Sequence, residues 1–180
     1  MSEPEGPRVT AATVDDVDAV TNLWLELARD QRRHGSTLLA SANRNAVREW
    51  VARSVVTGEL LVARDGDVSD ETGDVSDETG GEGDGAEPIV GFVAFSIERE
   101  GYERDRTRGL VSNLFVSPER RGEGIGSALL AAAERELAEA GADAVTLEAL
   151  ADNERARSFY ADRGYGLHRV ELRKEIDDGE

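Results

Sequence analysis

Residues 111–140 read VSNLFVSPERRGEGIGSALLAAAERELAEA, and the order of residue types along them decides the fold. A β-rich run from Leu110 to Val116 stops at Ser117-Pro118. Arg120 and Arg121 follow, and then glycine takes every second position at Gly122, Gly124 and Gly126. Ile125, Leu129, Ala133, Leu137 and Ala140 recur at helical spacing, which predicts a helix over 124–140 with one buried stripe. Glycines let the backbone turn sharply and let a ligand approach it. The first N–H groups of a helix lack internal partners, and the helix dipole adds partial positive charge there. A strand, a glycine turn and a helix start in direct succession therefore predict a phosphate or pyrophosphate site between Gly122 and Ser127. Arg121 can add a charge-assisted contact. A P-loop would need G-x-x-x-x-G-K-[ST], and no lysine stands here. The dinucleotide pattern G-x-G-x-x-G fits imperfectly, because its third glycine falls on Ser127 or on Leu129. Arg121, Gly124 and Gly126 fit Arg-x-x-Gly-x-Gly without adjustment. The plainer alternative is a strand-to-helix turn that holds no ligand.

Upstream, residues 8–12 (RVTAA) are a short strand candidate, and Thr13 or Asp15 can cap a helix running to about Asp30. Val17, Val20, Trp24 and Leu27 form its apolar face, and QRRHG at 31–35 breaks the pattern. A second helix is predicted over 43–56, with Val47, Trp50, Val51 and Val55 inward, and a strand over 59–64. Residues 65–87 then hold ten acidic residues and no basic one, with GDVSDET at 66–72 repeated at 73–79. The repeat has neither an apolar seam nor the spacing of a calcium loop, so it reads as a disordered insertion between two strands. The strand at 88–98 is apolar on both faces, with Val90, Phe92 and Ala94 on one and Ile89, Val93, Phe95 and Ile97 on the other, which predicts a central position. A charged turn leads to an antiparallel strand over 108–116. Downstream of the helix and Gly141, a strand is expected over 144–149 (AVTLEA). A helix capped by Asp152 or Asn153 follows through Asp162, and a last strand over 165–175.

The 180 residues suffice for a single domain with a real core. The chain has no cysteine, which removes disulfides, zinc–thiolate sites and cysteine nucleophiles. His34 and His168 are the only histidines and form no ligand pair, so no metal site is expected. No apolar run is long enough to span a bilayer, and the acidic N-terminus is unlike a signal peptide, so the expectation is a cytoplasmic protein without membrane partners. A net charge of −17 argues against nucleic-acid binding. Arginine supplies all the basic residues but Lys174, and this acidic, lysine-poor composition resembles that of proteins from salt-loving organisms such as haloarchaea.

A second motif lies beyond the glycine loop: Asn153-x-x-Ala156-x-x-Phe159-Tyr160-x-x-x-Gly164-Tyr165. It resembles the N-x-x-A-x-x-F-Y-x-x-x-G-[FY] motif of the GNAT superfamily of N-acetyltransferases. The segment Val116-x-Pro118 with Arg121-x-x-Gly124-x-Gly126 resembles that family's acyl-CoA loop. The similarity covers about residues 110–174. It implies an α/β GNAT-type fold: six to seven strands, mostly antiparallel with a central parallel splayed pair, flanked by about four helices. It implies acetyl-CoA as cosubstrate, with the pantetheine arm pairing to backbone near Phe115 and Val116. The pyrophosphate would lie on Arg121, Gly122, Gly124, Ile125, Gly126 and Ser127, with Asn153 and Tyr160 completing the cofactor site. A backbone N–H near Val116 would serve as oxyanion donor. Homodimers occur among relatives, so a homodimer is compatible with the resemblance.

The chemistry follows separately. An amine must lose a proton before it attacks a thioester, and amines titrating near ~8 to ~10.4 are largely protonated at neutral pH. A carboxylate can remove that proton, directly or through water. A neutral tyrosine, of pKa about 10, can protonate the leaving thiolate, of pKa about 8.5 by analogy with cysteine. Tyr160 is the expected general acid, against a reading as a core tyrosine. Glu148 is the expected base; Leu147-Glu148 resembles the L-E-V segment of the family's protein N-terminal acetyltransferases. Its plainer alternative is a carboxylate paired with an arginine such as Arg108, and Glu98 and Glu100 are further candidates. The function expected is acetyl transfer to a primary amine of a peptide, protein or small molecule. The alternative is a non-catalytic acyl-CoA-binding module.

Overall fold

The computed structural model describes residues 7–65, 87–98 and 105–176. The acidic repeat and Glu100 lie outside the described residues. The elements run β1 (Arg8–Ala11), α1 (Val17–Gln31), α2 (Arg44–Thr57), β2 (Leu60–Arg64), β3 (Ile89–Ile97), β4 (Arg108–Val116), α3 (Ile125–Glu139), β5 (Ala144–Leu147) and α4 (Glu154–Ala161).

The start of α1 shows how local sequence and tertiary packing combine. Thr13 and Asp16 cap each other reciprocally around a short turn, the Thr13 N–H donating to Asp16 Oδ2 at 2.7 Å. Arg64 on β2 donates to the same oxygen at 2.8 Å. Burial alone would raise the Asp16 pKa, but the hydrogen bonds from the Thr13 backbone and from Arg64 outweigh it and hold the carboxyl below its ordinary value.

The five strands lie in the order β1-β2-β3-β4-β5. The first three pairings are antiparallel, and β4–β5 is parallel. Strand β3 is central, as its two apolar faces predict. On one face, Val20, Trp24 and Leu27 of α1 and Val47 and Val51 of α2 cover Leu60, Val62, Phe92, Ala94 and Phe115. On the other, Leu129, Leu130, Ala133 and Leu137 of α3 cover Leu61, Ala63, Val93, Phe95 and Val111. Val90 corrects its predicted face. Ala63 pairs with Gly91 and Arg64 with Ile89, so Val90 is skipped and turns to the α3 side, while Ile89 packs on the α1 side. An extra residue in one strand reverses the side-chain alternation beyond it.

The sheet also corrects the expected six to seven strands. Residues 165–176 make no ladder and, beyond Tyr165, stand exposed. The parallel pair β4–β5 therefore lies at the edge of the described sheet rather than at its centre. Strand β5 stops at Leu147, so Glu148 follows the strand instead of lying within it. Among the described residues no helix is long and apolar enough to cross a membrane, and no acidic or histidine cluster is arranged to hold a metal ion.

Candidate active site

Strands β4 and β5 share only four residue pairs, Arg108↔Ala144 to Val111↔Leu147. Beyond them β4 continues through Val116, paired with β3 alone. The Ser117 N–H donates to Val90 O at 2.8 Å, and Gly91 stands opposite Val116. The alternation of an antiparallel ladder then turns the N–H and C=O of Val116 away from β3, toward the side β5 has left. The parallel pair is a fork whose open side is a stretch of β4 edge that no strand pairs among the described residues. Phe115 itself is buried beneath α1 and α2, and Val116 is half-buried on the α3 side.

The glycine turn continues from the fork. Gly122 and Gly124 hold φ of 90° and 83°, a left-handed backbone that favours glycine, and nothing lies within 4 Å of where a Cβ would stand on either. Gly124 is the N-cap of the 15-residue α3. The first helical hydrogen bond there is Ala128 N–H to Gly124 O at 3.0 Å. The backbone N–H groups of residues 122–127 donate to no protein group among the described residues. Six consecutive free donors at a helix N-terminus form a cradle for an anion. Ile125 anchors the turn, 2% exposed in the core. Gly126 keeps room for Phe159, whose Cζ would stand 3.5 Å from an added Cβ, and for Val116 at 3.7 Å. At that point the end of β4, the start of α3 and the face of α4 meet.

The arginines beside the cradle are partly spent on carboxylates. Arg120 pairs with Asp65 at 2.5 Å and Glu123 at 2.9 Å, and these partners push its pKa up. Arg121 lies over the Phe115 ring, donates to Val116 O at 3.0 Å and reaches Asp30 Oδ2 at 3.2 Å. Ser127 accepts a hydrogen bond from Arg163. Neither Arg163 nor Asp30 was marked by a motif. The spacing of Phe159 and Arg163 on a helix is a weak local signal, whereas nothing in the sequence joins Asp30 to Arg121, 91 positions away.

Helix α4 carries the second motif. Asn153 is its N-cap, its side-chain oxygen accepting from the Ala156 N–H at 3.1 Å. Tyr160 is held edge-on between Phe159 and Tyr165, with ring centroids 5.2 and 5.8 Å away. Burial raises the Tyr160 pKa, and its hydroxyl has no hydrogen-bond partner among the described residues. Tyr165 differs: its hydroxyl donates to Glu134 Oε1 at 2.6 Å, and burial together with that bond raises its pKa. Glu148 is exposed and makes no hydrogen bond or ion pair among the described residues. Arg108, the arginine its plainer role would use, bonds Glu98 instead, Nε to Oε2 at 2.6 Å. The structure thus gathers Val116, residues 122–127 and α4 around one junction, and leaves Glu148 just past the end of β5, with no hydrogen bond to Tyr160.

The sequence profile described as the Acetyltransferase (GNAT) family matches residues 68–165. A search of curated proteins finds no match. Solved structures agree in fold. A tetramutant of the BH1408 protein from Bacillus halodurans has TM-score 0.68 and 21% identity, covering 94% of this chain and 99% of its own. A GCN5-related N-acetyltransferase from Ralstonia eutropha has TM-score 0.65 and 24% identity, covering 95% and 99%. An acetyltransferase from Trypanosoma brucei has TM-score 0.59 and 17% identity, covering 94% and 99%. Because the profile runs over more than half of the chain and takes in both the glycine loop and the Asn153–Tyr165 motif, the chain belongs to the GNAT acetyltransferase family.

Proposed function

We propose that this protein is an acetyl-CoA-dependent N-acetyltransferase that carries an acetyl group to a primary amine by direct attack. The observation that carries the reading is the fork between β4 and β5 opening onto six unpartnered N–H groups. A pantetheine arm is an extended chain with amides, and the edge of β4 at Val116 offers it an N–H donor, while the Val116 C=O, which accepts from Arg121, keeps a second lone pair for it. A pyrophosphate needs donors and no side chains in its way, which residues 122–127 supply. The residues present therefore fit acetyl-CoA, which supplies the acyl group as an activated thioester. Arg121, Gly122, Gly124, Ile125, Gly126 and Ser127 hold the phosphate end in this reading. Phe115 and Val116 act through backbone atoms, and Asn153 acts by fixing the start of α4.

The proton traffic belongs to the side chains. Glu148, exposed beside the open fork, takes the proton from the acceptor ammonium, directly or through water. The Val116 N–H faces the fork, where it can donate to an oxygen that gains charge. Tyr160 stays neutral because burial disfavours its phenolate. Its hydroxyl, without a hydrogen-bond partner among the described residues, donates to the thiolate as the C–S bond breaks and regains a proton from solvent. A phenol is a weaker acid than a thiol of pKa ~8.5, so the transfer is driven by thioester cleavage and not by the pKa difference.

The test is thermal stabilisation by acetyl-CoA, CoA and NAD in molar salt. A ligand that binds only the folded state at 100 times its Kd adds about 2.7 kcal/mol. Stabilisation by acetyl-CoA and CoA, followed by thiol release with primary amines, is the expected result. A folded protein that neither CoA species stabilises refutes the reading, and stabilisation by NAD alone replaces it with the dinucleotide alternative.

A further inference from the structure

A polyanionic ligand approaching a chain of net charge −17 needs local positive charge, and the cradle's own arginines do not supply it freely. Arg120 answers Asp65 and Glu123, and Arg121 answers Asp30. Arg163 stands apart from both. Its guanidinium lies on the Phe159 ring, 3.6 Å from the centroid. One terminal nitrogen donates to Phe159 O at 2.7 Å, and the other donates to the Ser127 hydroxyl in the first turn of α3. All three partners are neutral, and among the described residues no carboxylate pairs with it. The side chain, though exposed, is held by those two hydrogen bonds and by the ring beneath it, which lies over Gly126 where an added Cβ would stand 3.5 Å from its Cζ. A guanidinium held flat on an aromatic ring, still carrying donors, is pre-organised for a planar two-point contact with phosphate.

We infer that Arg163 is the phosphate-reading cation of the cofactor site: it clamps a phosphate group of acetyl-CoA against the N-terminus of α3. This rests on the acetyl-CoA reading above and deepens it, since neither family motif includes position 163. Two phosphate sources share this chemistry, the pyrophosphate and the 3′-phosphate, and truncated ligands separate them. The arrangement also gives Ser127 a role, as the hydroxyl that holds the guanidinium at the cradle's rim until the phosphate arrives. Charge neutralisation elsewhere in the cradle sets Arg163 apart: Arg120 is answered by two carboxylates and Arg121 by one, so each adds less attraction for a further anion than a guanidinium with neutral partners.

The experiment is calorimetric titration of wild type, R163Q and R163K with acetyl-CoA, acetyl-dephospho-CoA and acetyl-pantetheine, at 0.2 and 1 M salt. A charge-assisted contact predicts that R163Q weakens acetyl-CoA roughly 10- to 100-fold. It also predicts that R163K keeps part of the affinity, that the loss shrinks at high salt, and that acetyl-pantetheine, which has no phosphate, binds all three proteins alike. A loss seen with acetyl-dephospho-CoA as well assigns the contact to the pyrophosphate. A loss confined to acetyl-CoA assigns it to the 3′-phosphate. Wild-type binding with R163Q unchanged overturns the assignment alone, and R163Q that weakens acetyl-pantetheine equally overturns it in favour of a packing role. A folded wild type that binds no CoA species overturns the cofactor reading itself. Arg163 also closes the end of α4, so unliganded melting of both variants is measured beside the titrations; R163K, which keeps the charge and the aliphatic stem, carries the test if R163Q does not fold.

Discussion

At the scale of single residues the site turns on a tyrosine whose hydroxyl has no partner among the described residues and a neighbouring tyrosine whose hydroxyl has one. Tyr165 is tied to Glu134, and its ring braces Tyr160. Removing the Tyr160 hydroxyl leaves the ring and its edge contacts in place. Y160F is therefore expected to fold and to bind acetyl-CoA as wild type does, while kcat falls by about 100-fold or more, the typical share of a positioned acid. Because burial raises the pKa of Tyr160 above its ordinary value of about 10, ionisation of this hydroxyl cannot produce an alkaline limb in kcat below that pH. Steady-state kinetics over pH 7–10 check both statements, and undiminished kcat in Y160F removes Tyr160 from the chemistry. Tyr160 was legible in the sequence because its motif is local: cap, small residue, aromatic pair and terminating glycine all lie within residues 153–165. Arg163 and Asp30 were not legible as site residues. Their partners are contributed by other elements, and composition near them says nothing of what folds alongside.

At the scale of elements, caps and turns were legible and partnerships were not. Thr13 reads as a cap from its residue type, and Gly141, which follows the predicted 124–140 helix, holds a positive φ of 91°. The acid that completes the first cap, Asp16, owes its place to Arg64, 48 positions on. This pair sets an expectation. Asp16 is 5% exposed, and D16N removes the charge while leaving the guanidinium of Arg64 without it. Breaking a buried pair from one side costs about 3–5 kcal/mol, so denaturant melts of D16N are expected to show a loss on that scale. The pH dependence has a definite sign. The folded-state pKa is depressed, so the contribution is fully present above the unfolded value of about 3.9 and fades as pH falls through the lower folded value. Wild type is then expected to lose stability relative to D16N only in that acid window, and a constant difference down to pH 2 contradicts it. The C-terminal segment shows the converse limit. Val170 and Leu172 alternate with Arg169, Glu171 and Arg173, which is the pattern of a half-buried strand. Alternation reports what a segment would bury if a sheet edge met it, and both apolar residues here stand exposed at 69% and 90%.

At the scale of the whole molecule, charge outweighs any single contact. The ion pairs on the described surface, such as Arg48–Asp18, join side chains that are 57% and 71% exposed, and pairs of that kind contribute little. Salt weakens them, but it also screens the mutual repulsion of a chain carrying 38 acidic residues against 21 basic ones. The two effects oppose each other, and their sizes decide the outcome. The exposed pairs are few and each contributes at most about 1 kcal/mol, while repulsion acts among all the unanswered carboxylates at once and grows as the Debye length lengthens toward ~30 Å at low ionic strength. The Asp16–Arg64 pair is nearly shielded from ions by burial and changes little. Tm is therefore expected to rise with sodium chloride and to do so most steeply at the dilute end, where screening changes fastest. For a chain of this size each ~1 kcal/mol of relieved repulsion is worth about 2–4 °C. Potassium chloride should reproduce the rise at equal ionic strength, because screening does not depend on which monovalent cation supplies it. A Tm that is flat from 0.05 to 1 M salt would show that repulsion in the folded state is matched in the unfolded chain, and a rise seen only above 1 M would assign the effect to ion exclusion at the surface rather than to charge.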